Sequence, residues 1–228
     1  MKSNIFILCI SLFVLTACSS DDATTNPGPD DFNLLTPNNS NNVDLLPELT
    51  WEAATHPNDD NITYDVYLGT QNPPQNIIAT NHTFNFLDLE EELEPETTYY
   101  WQVVAKDSND NTSTSNLASF TVREKTTEEL LRGKWFYDSI EGEEPLNTCQ
   151  KNSFLNFKEN GSLEIKRFNI NNNQECVFDT SILMYQTTNE IQIEVSMGEV
   201  SETWNIVNLD AGNLSIDAEG ILLNLVKE

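Results

Sequence analysis

Residues 99–106 read YYWQVVAK and place Tyr99, Trp101, Val103 and Ala105 on one face of an extended chain. Alternation in aromatic and β-branched residues marks a strand with one face buried. Working outward, 49–51 (LTW), 64–68 (YDVYL), 77–78, 84–87 and 117–122 are further short strands, separated by turns rich in Asn, Asp and Pro. Regular short strands with polar turns predict an antiparallel sandwich over residues 32–123.

Beyond residue 123 the pattern changes once and then returns to strands. Thr126-x-x-Glu129 before Leu130 and Leu131 is a capping-box pattern, and Gly133 stands where the helical turn would stop. From Lys134 onward the alternation predicts strands at about 134–140, 153–158, 162–170, 177–186, 190–197, 200–208, 213–217 and 220–226. Asn160-Gly161, Ala211-Gly212 and Glu219-Gly220 punctuate three of the connections. Consecutive strands joined by short turns predict a closed up-and-down barrel, so the fold class is all-β.

Two family resemblances sharpen these readings. Leu93-Glu-Pro95-Glu-Thr97-Thr-Tyr99, with Pro37, Pro47, Trp51 and 64–68 upstream, resembles a fibronectin type III domain over residues 32–123. The resemblance implies a seven-stranded Greek-key sandwich in which the Tyr99 hydroxyl bonds back to upstream backbone. Modules of that kind commonly act as spacers or protein-interaction units, so the fold alone fixes no ligand. Leu131-Arg-Gly133-Lys-Trp135, followed by 154–162 (FLNFKENGS), resembles a bacterial lipocalin-like domain over 134–228. It implies that Trp135 plugs the barrel base. Trp135, Phe157, Tyr185 and Trp204 are the candidate barrel-lining residues; core packing is the competing role, since alternating apolar residues fill small barrels.

The N-terminus reads as an address. Lys2 and the apolar run 5–16 (IFILCISLFVLT) have the length of a signal-peptide core, short of the roughly 20 residues that span a bilayer. Leu15-Thr16-Ala17-Cys18 resembles a bacterial lipobox. That implies cleavage of residues 1–17, a diacylglycerol on Cys18 and an N-terminal acyl chain such as palmitate, anchoring the chain to the outer membrane. Ser19 lacks the aspartate associated with inner-membrane retention, and Ser20-Asp21-Asp22 resembles a surface-exposure signal. Residues 18–31 (CSSDDATTNPGPDD) are expected to be a flexible tether, and 124–133 a linker with a short helix.

The 228 residues carry 37 acidic and 11 basic side chains, a formal net charge of −26. Phosphate binding needs a basic face, so nucleic acid is excluded as a partner. Cys149 and Cys176, 27 residues apart in an exported chain, are expected to form a disulfide worth about 3 kcal/mol; two free thiols are the alternative. No catalytic residue, cofactor or metal site is expected. Histidine is confined to His56 and His82, both read as surface loop residues, and no Gly-rich phosphate loop occurs. Asp107-x-Asn109-x-Asn111 begins like an EF-hand loop but has Thr112 for Gly and Ala118 for Glu, leaving only an irregular calcium site among Asp59, Asp60, Asp107 or Asp110. The expected function is a non-enzymatic surface lipoprotein that binds a small apolar molecule or a glycan, or docks another envelope protein. A structural or adhesive module with a filled barrel is the alternative, and a small hydrolase comes last.

Overall fold

The computed structural model describes residues 27–228; the signal segment, Cys18 and the first part of the tether lie outside the described residues. The chain divides into two compact units. Among the described residues, one gathers 27–38 with Glu48–Asp88 and Tyr99–Ser119, and the other gathers Asn39–Pro47, Leu89–Thr98 and Phe120–Glu228.

Nine strands precede the helix: β1 (Leu34–Thr36), β2 (Ser40–Val43), β3 (Glu48–Trp51), β4 (Thr63–Gly69), β5 (Ile77–His82), β6 (Phe86–Asp88), β7 (Thr98–Lys106), β8 (Thr112–Thr114) and β9 (Ala118–Val122). They form a three-stranded sheet in the order β1-β3-β6 and a larger one in the order β2-β9-β7-β4-β5, with β8 paired to β7. Period-2 burial explains β7: Trp101, Val103 and Ala105 are wholly buried while the residues between them are half-exposed. Trp51 of β3 packs edge-on against Tyr64 of β4 at 5.4 Å and tilts against Trp101 of β7 at 6.5 Å, joining the first unit's sheets through aromatic rings. The Trp101 indole N–H donates to the Pro37 carbonyl at 2.8 Å, so its polar edge is satisfied inside the core.

Several boundaries differ from the sequence reading. β1, β2 and β8 carry three or four residues each, too few for alternation to register. The strand expected at 84–87 begins at Phe86, because Asn85 is committed to a turn: its side chain donates to the Trp51 carbonyl, and its own carbonyl accepts from the Trp51 N–H. Within the stretch 18–31 expected to be a tether, the described residues 27–31 touch the fold. Pro29 is buried, the Asp30 N–H donates to the Thr55 carbonyl at 2.8 Å, and the Thr55 hydroxyl donates to the Asp30 carboxylate at 2.6 Å.

The second unit holds helix α1 (Thr127–Leu131) and strands β10 (Gly133–Ile140), β11 (Phe154–Phe157), β12 (Ser162–Ile170), β13 (Cys176–Asn189), β14 (Gln192–Met197), β15 (Val200–Leu209), β16 (Asn213–Ala218) and β17 (Ile221–Lys227). The eight strands form a closed antiparallel barrel in chain order, and β10 meets β17 with Trp135 opposite Lys227 and Tyr137 opposite Leu225. Gly133 takes φ +105° where the chain leaves the helix and enters β10, a conformation closed to most L-residues, which explains the glycine of the Gly-x-Trp pattern.

The capping box forms as read: the Thr126 hydroxyl accepts from the Glu129 N–H, and the Glu129 carboxylate accepts from the Thr126 N–H. Glu129 also receives both terminal nitrogens of Arg123 at 2.8 Å, and Arg123 reaches Asp44 at 2.7 Å. The Arg123 guanidinium, followed by the Thr126 donors and against some burial, lowers the Glu129 pKa from 4.5 to about 2. The folded pKa is therefore below the unfolded one. Stability from this carboxylate is complete above pH 4.5 and is lost as pH falls toward 2. Replacing Glu129→Ala is expected to cost about 1–2 kcal/mol in urea denaturation at pH 7 and to flatten the acid limb of the stability curve over that interval.

Candidate functional site

The inward face of the barrel is apolar along almost its whole length. Trp135, Leu155, Phe157, Leu163, Ile165, Tyr185, Ile193, Val195, Trp204, Ile206, Leu214, Ile216 and Leu225 form one buried cluster, joined by Leu131 from α1. All four candidate lining residues lie in it, and the polar atoms of Trp135, Tyr185 and Trp204 are tied down. Trp135 donates its indole N–H to the Leu131 carbonyl at 2.6 Å, and the Lys227 ammonium sits 4.7 Å from its ring while donating to the Leu130 carbonyl. Phe157 meets Tyr185 edge-on at 5.0 Å, and the Tyr185 hydroxyl donates to the Lys158 carbonyl at 3.1 Å. Trp204 donates to the Glu202 carboxylate at 2.7 Å. The α1 end of the barrel is thus sealed by Leu131, Trp135 and Lys227.

The opposite end is built differently. Val177, Met197, Val200 and Ile221 share the pleat face of buried neighbours on their own strands, yet at the rim they are 42%, 66%, 75% and 56% exposed. Polar groups join them there. Tyr137 is buried, and burial pushes its hydroxyl pKa up, opposed by Arg167, which hydrogen bonds it; Asp179 lies opposite Arg167 in the β12–β13 register. Sequence reasoning missed this group, although the alternation Leu163-x-Ile165-x-Arg167 carried the signal: a cation in an inward position.

A strap, residues 141–153, leads from β10 to β11 at this end. Only three of its residues are buried: Leu146, which joins the barrel cluster, Cys149 and Ser153. Cys149 forms the expected disulfide with Cys176 at the start of β13, with Cα atoms 5.7 Å apart. Ser153 accepts from the Phe168 N–H through its hydroxyl and from the Tyr137 N–H through its carbonyl, both at 2.9 Å.

His56, read as a surface loop residue, is buried instead. Its Nδ1 accepts from the Asn58 N–H at 3.1 Å, which leaves the proton on Nε2 to donate to the Pro27 carbonyl at 2.8 Å. Nε2 also lies 3.4 Å from Asp107 and 3.8 Å from Asp60, so these three are the cluster with metal-ligand chemistry among the described residues. Of the acids considered for calcium, this brings Asp60 and Asp107 together. Asp107 is already engaged: one oxygen accepts from the Asn109 and Asn111 N–H groups at 2.8 and 2.9 Å, and the other accepts from the Asn111 amide at 2.8 Å. Burial opposes its ionisation, but these donors together with His56 outweigh burial and lower its pKa. The hydrogen bonds of His56 and Asp107 pin these loops and the incoming chain at Pro27. His82 remains at the surface, with Nε2 hydrogen bonded to the Phe86 carbonyl at 2.7 Å.

No protein-family model matches the chain, and no curated protein does. Among solved structures, a lipocalin-like protein from Bacteroides uniformis ATCC 8492 is 17% identical and matches 43% of this chain and 99% of its own, with a TM-score of 0.34. An alpha-L-rhamnosidase from Dictyoglumus thermophilum is 13% identical over 86% of this chain at TM-score 0.34. A Streptomyces avermitilis alpha-L-rhamnosidase complexed with L-rhamnose is 9% identical over 87% at 0.33. The matches span 30% and 27% of those two chains.

Asp107→Asn tests the structural role of the buried cluster. The carboxylate has its folded pKa below the unfolded one, so its contribution is present above the ordinary carboxylate range and lost as pH falls through the folded value. The variant is expected to melt several degrees lower at pH 7, with the difference from wild type shrinking in acid. Calcium should leave both melting temperatures unchanged.

Proposed function

We propose that this chain is a non-enzymatic outer-membrane lipoprotein, facing the cell exterior, whose barrel binds a small apolar or amphiphilic molecule at its strap-covered end. The observation that carries the reading is the difference between the two barrel ends. One is sealed by Leu131, Trp135 and Lys227, while the other combines an exposed apolar rim with Tyr137, Arg167 and Asp179. A buried cluster that fills the middle of the barrel leaves no deep bore, so the ligand is small and shallowly held. The same filled interior favours the second reading, a structural or adhesive module with no small-molecule ligand. The fibronectin type III-like half acts as a spacer in either case.

The non-enzyme assignment rests on the two histidines: His56 spends both ring nitrogens and His82 its Nε2 on backbone groups, so neither is set as a base beside a nucleophile. The anchor rests on the sequence around Cys18. Labelled palmitate fed to the producing cells should appear in the wild-type protein and not in Cys18→Ala, and external protease should degrade the wild-type protein on intact cells. Label in both forms, or complete protection, would overturn the placement. For the ligand, native mass spectrometry of a soluble form lacking Met1–Asn26 should reveal a co-purifying small molecule or saturable uptake of a fatty acid. A bare polypeptide mass that takes up nothing would leave the structural module as the function.

A further inference from the structure

We infer that the Cys149–Cys176 disulfide is a redox latch on the strap: when it is reduced by a dithiol, residues 141–152 lift and the apolar top of the barrel becomes open to an amphiphile. The inference rests on the ligand reading above and adds its control.

The geometry of attachment carries the argument. Of the strap's residues before Ser153, only Leu146 and Cys149 are buried. Ser153 belongs to the fixed end, since its hydroxyl and carbonyl are bonded to β12 and β10. The strap's other hydrogen bonds are mainly internal, such as Lys151 N–H to the Asn147 carbonyl and the Cys149 and Gln150 N–H groups to the Asn147 Oδ1, or lie at its origin, where Glu141 N–H donates to the Leu222 carbonyl. Between the two ends, Leu146 and the disulfide at Cys149 are the strap's buried attachments, and the turn at Gln150–Asn152 next to the fixed end lies against β10 and β12.

The latch also sits where the ligand would. Leu146 belongs to the same buried cluster as Tyr137 and Ile165. An acyl chain could replace its side chain there, and a carboxylate head would meet Arg167 and the Tyr137 hydroxyl at the rim. The two sulfurs differ in access, since Cys149 is buried and Cys176 is exposed. A reductant's thiolate would attack Cys176 Sγ, releasing the Cys149 thiolate. The reductant's second thiol then displaces Cys176, so two electrons and two protons reach the protein as the reductant forms its own disulfide. The barrel itself does not depend on this bond, because β10 to β17 close on one another through backbone pairing.

The full chain in detergent provides the test, with hydrogen exchange read by mass spectrometry and laurate uptake read by native mass spectrometry. Reduction with dithiothreitol, or the Cys149→Ser/Cys176→Ser double variant, should speed amide exchange over 141–152 at least tenfold while β12 and β16 keep their protection. Laurate should then bind as a single adduct at least tenfold more tightly than to the oxidised chain. Leu146→Ala, still oxidised, should gain part of that affinity. Unchanged strap exchange after reduction, or loss of protection throughout the barrel, overturns the latch. Equal laurate affinity in both redox states also overturns it while sparing the ligand reading. Strap release with no laurate bound in either state supports the latch and overturns the ligand reading.

Discussion

The pairing of β10 with β17 is the constraint on which the C-terminal architecture depends. A row of eight strands has two edges with unpaired backbone groups until its first strand meets its last. Closure sets Trp135 opposite Lys227, and that register puts the ammonium over the indole ring and within reach of the Leu130 carbonyl. The same closure turns every second residue inward, so the buried cluster is a consequence of the ladder rather than an independent feature. A slip of one residue would turn the apolar set outward and expose it to water.

The barrel was legible because its strands are long, alternate cleanly and follow one another through short turns. Asn160-Gly161 and Glu219-Gly220 show why: Gly161 and Gly220 take φ +75° and +87°, and Glu219 takes +54°, as tight hairpin turns require. The sandwich was legible only where a strand is buried, as in β4 and β7. Its edge strands are held by turn side chains such as Asn85, whose role depends on a carbonyl 34 residues away. β13 also outran its expected end, continuing to Asn189, because its final residues pair with β14 through polar positions that carry no hydrophobic signal.

The site was legible in part. The four aromatic residues could be named from alternation, and the cysteine pair from spacing and compartment. Whether the rings line a cavity or fill it depends on how the side chains meet across the bore, which the order of residues along one strand does not encode. The strap could not be read because its grip lies in single residues, Leu146 and Cys149, within an otherwise polar stretch. His56 was misread for a related reason. A histidine beside Pro57 reads as a loop residue, and only the fold reveals that the loop closes over the arriving chain.

That closure bears on how the fold resists a pull on the chain from its N-terminal side. The chain reaches the first unit at Pro27, whose carbonyl is held by the buried His56, and at Asp30, whose N–H and carboxylate both engage Thr55. Tension applied from the N-terminal side meets these bonds before it reaches the sheet ladders. Asp30 and Thr55 join side chain to side chain and backbone to backbone, so a pull loads at least two bonds together. His56 is itself fixed at its other ring nitrogen by the Asn58 N–H, so the load passes into the loop as a whole. The chain's point of arrival thus works as a strain relief, like the grip where a cable meets its housing.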